Sequence, residues 1–253
     1  MRVPFRKTSV RKAANSRPAG IERLEHRRLF TSVTQTYPGY YEVDADSASN
    51  VVNVAVSQAN DTFTLDGVTY SNVAYITVNG NGNSDQLNVT SDNEQGPIGC
   101  AINGGGGNDS ISASGLTAVI HGGSGNDNIT LKDSFYGEVY GDSGSDNIYV
   151  VGDCLDAEIV GGSGGSNMID AWNSNYGVTI YGGPGNDTIY GTRYDDEIYG
   201  GGGNDTIYGN GGNDTIYSSG GLIIGGSDGG DNTAYIPTGA NVTCVNIQNI
   251  FYT

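Results

Sequence analysis

Basic side chains are nearly missing from most of this chain. Nine of the eleven Lys and Arg residues lie between Arg2 and Arg28, and beyond Phe30 only Lys132 and Arg193 remain. Against those two stand 26 Asp and Glu residues (all but Glu22 and Glu25), so the region carries a formal −24 while the whole chain sums to −17. Such a surface repels phosphate backbones and anionic headgroups, which excludes nucleic acid as a partner. No stretch approaches the roughly 20 apolar residues of a membrane helix, so no membrane span is expected. Cysteine is scarce too. Cys100, Cys154 and Cys244 are odd in number and widely spaced, unlike a disulfide framework or a zinc site, and are expected to be packed or incidental thiols. The two histidines, His26 and His121, lie in no H-E-x-x-H motif, and Trp172 is the single tryptophan. With 36% hydrophobic residues and 42 Gly in 253 positions, the chain can build only a lean core.

Acidic, glycine-rich chains stay disordered unless something neutralises them, and a cation is the obvious candidate. The arrangement of the acid supports this. Residues 200–217, GGGGNDTIYGNGGNDTIY, write nine residues almost twice. Aligned on the Asp, copies occur at 104–112, 122–130, 141–149, 161–169, 182–190, 191–199, 200–208 and 209–217, with degenerate ones at 80–88 and 225–233. The key positions 109, 127, 146, 166 and 187 lie 18 to 21 apart, whereas 187, 196, 205 and 214 lie nine apart. Both spacings follow if a full coil is two nonapeptides. Positions 109, 127, 146, 166, 187 and 205 then form one column, and 196, 214 and 231 another.

These copies resemble the RTX (hemolysin-type) repeat of bacterial secreted proteins, whose G-G-x-G-x-D-x-U-x nonapeptide folds as a calcium-bound parallel β-roll. The resemblance implies an all-β protein, a right-handed parallel β-roll or β-helix solenoid with an N-terminal β cap and a disordered basic N-terminus. It also implies several bound Ca2+ ions, each between stacked turns and held by backbone carbonyls and an Asp from each. Calcium takes six to eight oxygens, more than one nonapeptide supplies. Glycines at the first, second and fourth places are expected to adopt positive φ and turn carbonyls inward. The candidate metal residues are Asp109, Asp127, Asp146, Asp187, Asp205, Asp196 and Asp214, with Gly104, Gly106, Gly122, Gly125, Gly182, Gly185, Gly200 and Gly203. The pairs 109 with 127, 127 with 146, and 187 with 205 are the best formed. Asp196 with Asp214 is weaker, because Tyr194 and Asn210 replace glycines; Ser166 stands where Asp belongs, and Asp85 and Asp231 sit in degraded turns. An Asp in such a turn also caps backbone amides, so both roles are open for the degraded copies.

The eighth place, Ile111, Ile129, Ile148, Ile189, Ile198, Ile207 and Ile216, is expected to point inward and stack coil on coil. The ninth-place tyrosines, Tyr190 with Tyr208 and Tyr199 with Tyr217, should stack outside. Four segments are expected: 1–36, a basic export or targeting tail; 37–79, a β-strand cap; 80–236, the calcium-binding roll; 237–253, a closing strand. Residues 21–30 permit a short helix, and LEHRRLF (24–30) resembles an L-E-x-R-x-L box of exported bacterial surface proteins, with Phe30 in place of the usual Leu. The implied function is a non-enzymatic, secreted or cell-surface calcium-binding protein whose ions drive folding after export. Adhesion or a matrix role, with cell-surface or matrix polysaccharide or protein as partner, is compatible with it. The competing reading is a polysaccharide lyase or epimerase on a β-helix, for which only His121, Lys132 and Arg193 could supply cationic groups.

Overall fold

The computed structural model describes residues 32–46, 51–92, 98–227 and 229–253. The expected helix at 21–30 and the LEHRRLF box lie outside these residues. Every element among them is a β-strand, and the strands form two twelve-stranded sheets. From Gln86–Ser91 onward the chain alternates strictly: each strand enters the sheet opposite to the one before it and pairs in parallel with the strand one coil earlier. The result is a parallel β-solenoid of about nine turns.

Alternation within each strand builds the core, because successive side chains of a strand point to opposite faces. In one sheet Leu87, Ile111, Ile129, Ile148, Ile169, Ile189, Ile207 and Ile223 lie in register one above another. In the other, Ile102, Ile120, Val139, Ile159, Ile180, Ile198, Ile216 and Ala234 do the same. All are buried. The eighth-place isoleucines therefore stack as expected, and Ile169, displaced by one position in its copy, joins them.

Outside, tyrosines form ladders. Tyr181, Tyr199, Tyr217, Tyr235 and Phe251 stack in sequence with ring centroids 4.5 to 5.3 Å apart, and Tyr190 stacks on Tyr208 at 4.8 Å. Within a ladder the rings face each other, so their faces are spent on strand pairing.

Both sheets begin in antiparallel strands. Ser32–Tyr37 turns through Pro38 and Gly39 (φ 82°) into Tyr40–Asp44, a Pro-Gly pair suited to a type II turn. Thr62–Leu65 turns through Asp66 and Gly67, both at positive φ, into Val68–Ser71, as a two-residue hairpin turn requires. The first strand starts ahead of the boundary expected at residue 37; its side chains are almost all exposed, so no hydrophobic alternation announces it. At the other end the expected closing strand is two, Asn241–Val245 and Asn249–Tyr252, one in each sheet.

Candidate metal centre

The corners between the two sheets repeat one construction. In each, the sixth-place carboxylate turns inward and is almost wholly buried: Asp109, Asp127, Asp146, Asp187 and Asp205 are 1 to 2% exposed. One carboxylate oxygen, Oδ1, accepts the backbone N–H of the sixth-place residue one coil earlier. This ladder runs from Asp85 N–H to Asp109, then to Asp127, Asp146, Asn167, Asp187 and Asp205, at 2.7 to 3.0 Å. A second column joins Val178 N–H to Asp196, Asp214 and Asn232 at 2.8 to 3.1 Å.

Two places in these columns differ from expectation. Asn167, not Ser166, stands in the long column, and Asn232, not Asp231, in the short one. Ser166 and Asp231 are fifth-place residues: their N–H groups bond to Ser145 Oγ and to the Asn213 side chain. The fifth place proves to have its own role, one the sequence reading missed. Asn126 N–H donates to Asn108 Oδ1, Ser145 N–H to Asn126 Oδ1, and Asn204 N–H to Asn186 Oδ1, at 2.7 to 2.8 Å. This second ladder runs against the first. The recurrent Asn-Asp doublet thus cross-links successive coils in both directions.

The other carboxylate oxygen carries the functional argument. Oδ2 of Asp109, Asp127, Asp146, Asp187 and Asp205 is buried and accepts no hydrogen bond. Leaving a buried acceptor unsatisfied costs about 1–3 kcal/mol, more for a charged group. The surroundings make it worse. A Cβ built on Gly122 would lie 2.5 Å from Oδ2 of Asp127 and 2.8 Å from the Gly141 carbonyl of the next coil. On Gly141 it would lie 2.6 Å from Oδ2 of Asp146 and 2.3 Å from the Gly161 carbonyl. Carboxylate and carbonyl oxygens therefore crowd one hole with no donor between them, an arrangement that fits a hard, oxygen-seeking cation. Among the described residues no three His, Cys, Asp or Glu side chains come together, so an ion here would draw on backbone carbonyls as well as carboxylate.

The first-place glycines, Gly104, Gly122, Gly182 and Gly200, serve this hole by lacking a Cβ rather than through positive φ. Positive φ falls at the second and fourth places, as at Gly123 (100°) and Gly125 (133°). Asp142 and Asn210 replace glycine at second places with φ of 67° and 71°, a region Asp and Asn tolerate. Among the fourth-place candidates, Gly203 has positive φ and Gly185 does not, yet a Cβ on Gly185 would meet the Gly165 carbonyl at 1.8 Å. Gly106 is a third-place residue whose added Cβ would meet only the Ser124 hydroxyl at 3.1 Å; Gly107 (φ 105°) holds the fourth place in that copy.

Asp196 and Asp85 are built differently. Oδ2 of Asp196 accepts Thr192 N–H at 2.6 Å and Oδ1 the Thr192 hydroxyl at 2.9 Å, while Oδ2 of Asp85 accepts Asn81 N–H at 2.9 Å. Among the described residues, the basic side chains stand elsewhere. His121 bonds Asp142 at 3.1 Å and stacks on Tyr140, Lys132 lies 3.7 Å from Asp133, and the Arg193 guanidinium sits 4.8 Å over Trp172. A shallow cavity of about 260 Å³ beside Asp170, Trp172, Tyr190 and Asn210 includes none of the sixth-place residues.

The model of the RTX calcium-binding nonapeptide repeat matches in four copies, over residues 101–115, 119–131 and 179–221. The chain carries RTX calcium-binding repeats. No curated protein and no solved structure matches it. The matched RTX segments hold Asp109, Asp127, Asp187, Asp196, Asp205 and Asp214 and omit Asp146, whose corner is nonetheless built as those of Asp109 and Asp127 are. The repeats and the β-solenoid together suggest a calcium-binding repeat protein. Among the described residues no helix is long and apolar enough to cross a membrane.

Burial pushes the RTX carboxyls upward, to about 6 for Asp109, Asp146 and Asp205, and in the same direction for Asp127 and Asp187. Without metal, the folded protein then binds more protons than the unfolded chain, whose Asp groups titrate near 3.9. The stabilising effect of these protons is complete below about pH 4 and is lost as pH rises through about 6. Thermal unfolding in EDTA is therefore expected at a higher temperature at pH 4 than at pH 7. In calcium the order reverses, because the ion needs deprotonated carboxylates. Equal midpoints at both pH values in EDTA would contradict this.

Proposed function

We propose that this is a non-enzymatic protein that works outside the cell or at its surface, where calcium entering the RTX corners closes the roll after export. The observation that carries the proposal is the set of five buried Oδ2 atoms, four of them, at Asp109, Asp127, Asp146 and Asp187, crowded against a backbone carbonyl of the next coil. Calcium is scarce in cytosol, and extracellular modules bind it with dissociation constants of about 10⁻⁴ to 10⁻³ M. A chain needing such ions stays open inside and closes outside, since a ligand that binds only the folded state stabilises it by mass action. The ions in this reading are structural, and the closed rod serves adhesion or a matrix. Its partner would be a surface or matrix polysaccharide or protein.

Against a lyase or epimerase stands the dispersal of His121, Lys132 and Arg193. Each is engaged in its own local contact, and no contact brings two of the three together.

The test is calcium titration by calorimetry on the full chain and on Asp127→Ala. Asp127 contributes Oδ2 to its own corner and Oδ1 to the ladder from Asp109. The variant should take up at least one ion fewer, and its metal-loaded form should melt earlier. An unchanged isotherm would remove Asp127 from the site and the proposal with it.

A further inference from the structure

Two corners carry asparagine where the rest carry aspartate, and they differ by one hydrogen bond. At Asn167, Oδ1 accepts Asp146 N–H at 2.9 Å, as an aspartate would, but Nδ2 donates to the Gly182 carbonyl at 3.3 Å. At Asn232, Oδ1 accepts Asp214 N–H at 2.8 Å and Nδ2 donates to the Gly225 carbonyl at 2.5 Å. Each Nδ2 occupies the position held elsewhere by Oδ2. A Cβ built on Gly161 would meet Nδ2 of Asn167 at 2.8 Å, and one on Gly225 would meet Nδ2 of Asn232 at 2.7 Å; on Gly104, Gly122 and Gly182 it would meet Oδ2 at 2.5 to 2.7 Å. The hole is the same, with its chemistry reversed.

Where Asp127 sets an anionic acceptor against a carbonyl, Asn167 sets a neutral donor against one. The acceptor pair needs a cation between its oxygens. The donor pair satisfies itself, engages the carbonyl an ion would use, and points N–H groups at the position an ion would take. Asn167 lies between Asp146 and Asp187 in the ladder, so the two groups of open corners on either side share no corner.

We propose that Asn167 is a metal-independent clasp that divides the long column into two separate calcium arrays, Asp109 with Asp127 and Asp146 on one side and Asp187 with Asp205 on the other. Asn232 fills its own corner, in the short column, with an Nδ2 that bonds the Gly225 carbonyl of its own coil. The inference rests on the calcium-binding reading of the open corners. Its consequence is a fixed register at mid-roll before any ion is bound, where a slip of one residue would turn the isoleucine column out of the core. Ions on one side then bind without reporting to the other.

Asn167→Asp in the full chain tests this, with calcium stoichiometry by calorimetry and thermal unfolding in EDTA at pH 7 as the two measurements. The variant gains an open corner: it should bind about one calcium more than the wild type. In EDTA it should melt about 2–10 °C lower, the effect of one orphaned buried acceptor in a chain this size. In saturating calcium it should recover the loss. Asn232→Asp offers the same comparison at the last coils if Asn167→Asp does not fold. Wild type that takes up calcium, with neither variant changed in stoichiometry or in metal-free melting, overturns the clasp alone. Wild type that takes up no calcium overturns the functional reading as well.

Discussion

In excess EDTA at pH 7 the protein is expected to lose more than half of its β circular-dichroism signal and to regain it in about 10 mM calcium. The magnitudes support so large a change. Five corners each hold a buried charged acceptor without a partner, and at about 1–3 kcal/mol apiece they cost together on the order of 5–15 kcal/mol. That is the whole stability of an ordinary domain. Each ion returned at about 10 mM, with a dissociation constant of about 10⁻⁴ to 10⁻³ M, stabilises the fold by about 1.4–2.7 kcal/mol, which over five corners offsets the cost. The residual signal in EDTA should come from the coils held together at Asn167 and, chiefly, from those before residue 104. There Val43, Val52, Val54, Phe63, Ile76 and Val78 form an apolar core, and no Oδ2 is orphaned. Limited proteolysis in EDTA would check the assignment: cuts should concentrate between residues 104 and 146 and between residues 187 and 217. A full β signal in EDTA would contradict the expectation.

Gly125→Ala is expected to be among the most damaging single substitutions in the roll, with failure to form the β signal even in saturating calcium. Two effects coincide at this residue. Its φ of 133° is one that side chains rarely adopt, and an added Cβ would lie 1.6 Å from the Gly107 carbonyl oxygen of the coil beneath. The obstacle is backbone, not a side chain that can swing away. The coils would have to separate there, breaking the Asp109 to Asp127 ladder and the Asn108 to Asn126 ladder together. Gly106→Ala is the control one coil earlier, since its Cβ would meet only the Ser124 hydroxyl at 3.1 Å. Gly106→Ala should fold and bind calcium nearly as the wild type does. Equal behaviour of the two variants would show that coil spacing, as described, does not limit the fold.

Much of this was legible in the sequence because the repeat is written in residue types with few alternative uses. The nine- and eighteen-residue spacings gave the coil, and the inward isoleucines gave the register. Asp109, Asp127, Asp146, Asp187 and Asp205 all stand in the column expected of them. The two misplacements, Ser166 and Asp231, share one cause. Counting from the glycines misplaces them, because the corner closes one residue late in the copy at 161–169 and two residues late in the copy at 225–233. Counting back from the core gives the right answer: the sixth-place residue lies two positions before a buried side chain, so Ile169 points to Asn167 and Ala234 to Asn232. The core is the better ruler because a strand cannot slip by one without reversing its faces, whereas a glycine loop absorbs an insertion. The fifth-place ladder was hidden for another reason. Asn is common in turns, and nothing in a single sequence separates a turn former from a link between coils.

The most direct test is anomalous diffraction from crystals of the full chain grown in calcium. Ions are expected in line along the long column, beside Oδ2 of Asp109, Asp127, Asp146, Asp187 and Asp205, with a gap in the line at Asn167. Corners without anomalous density, or those five carboxylates turned outward into solvent, would contradict this.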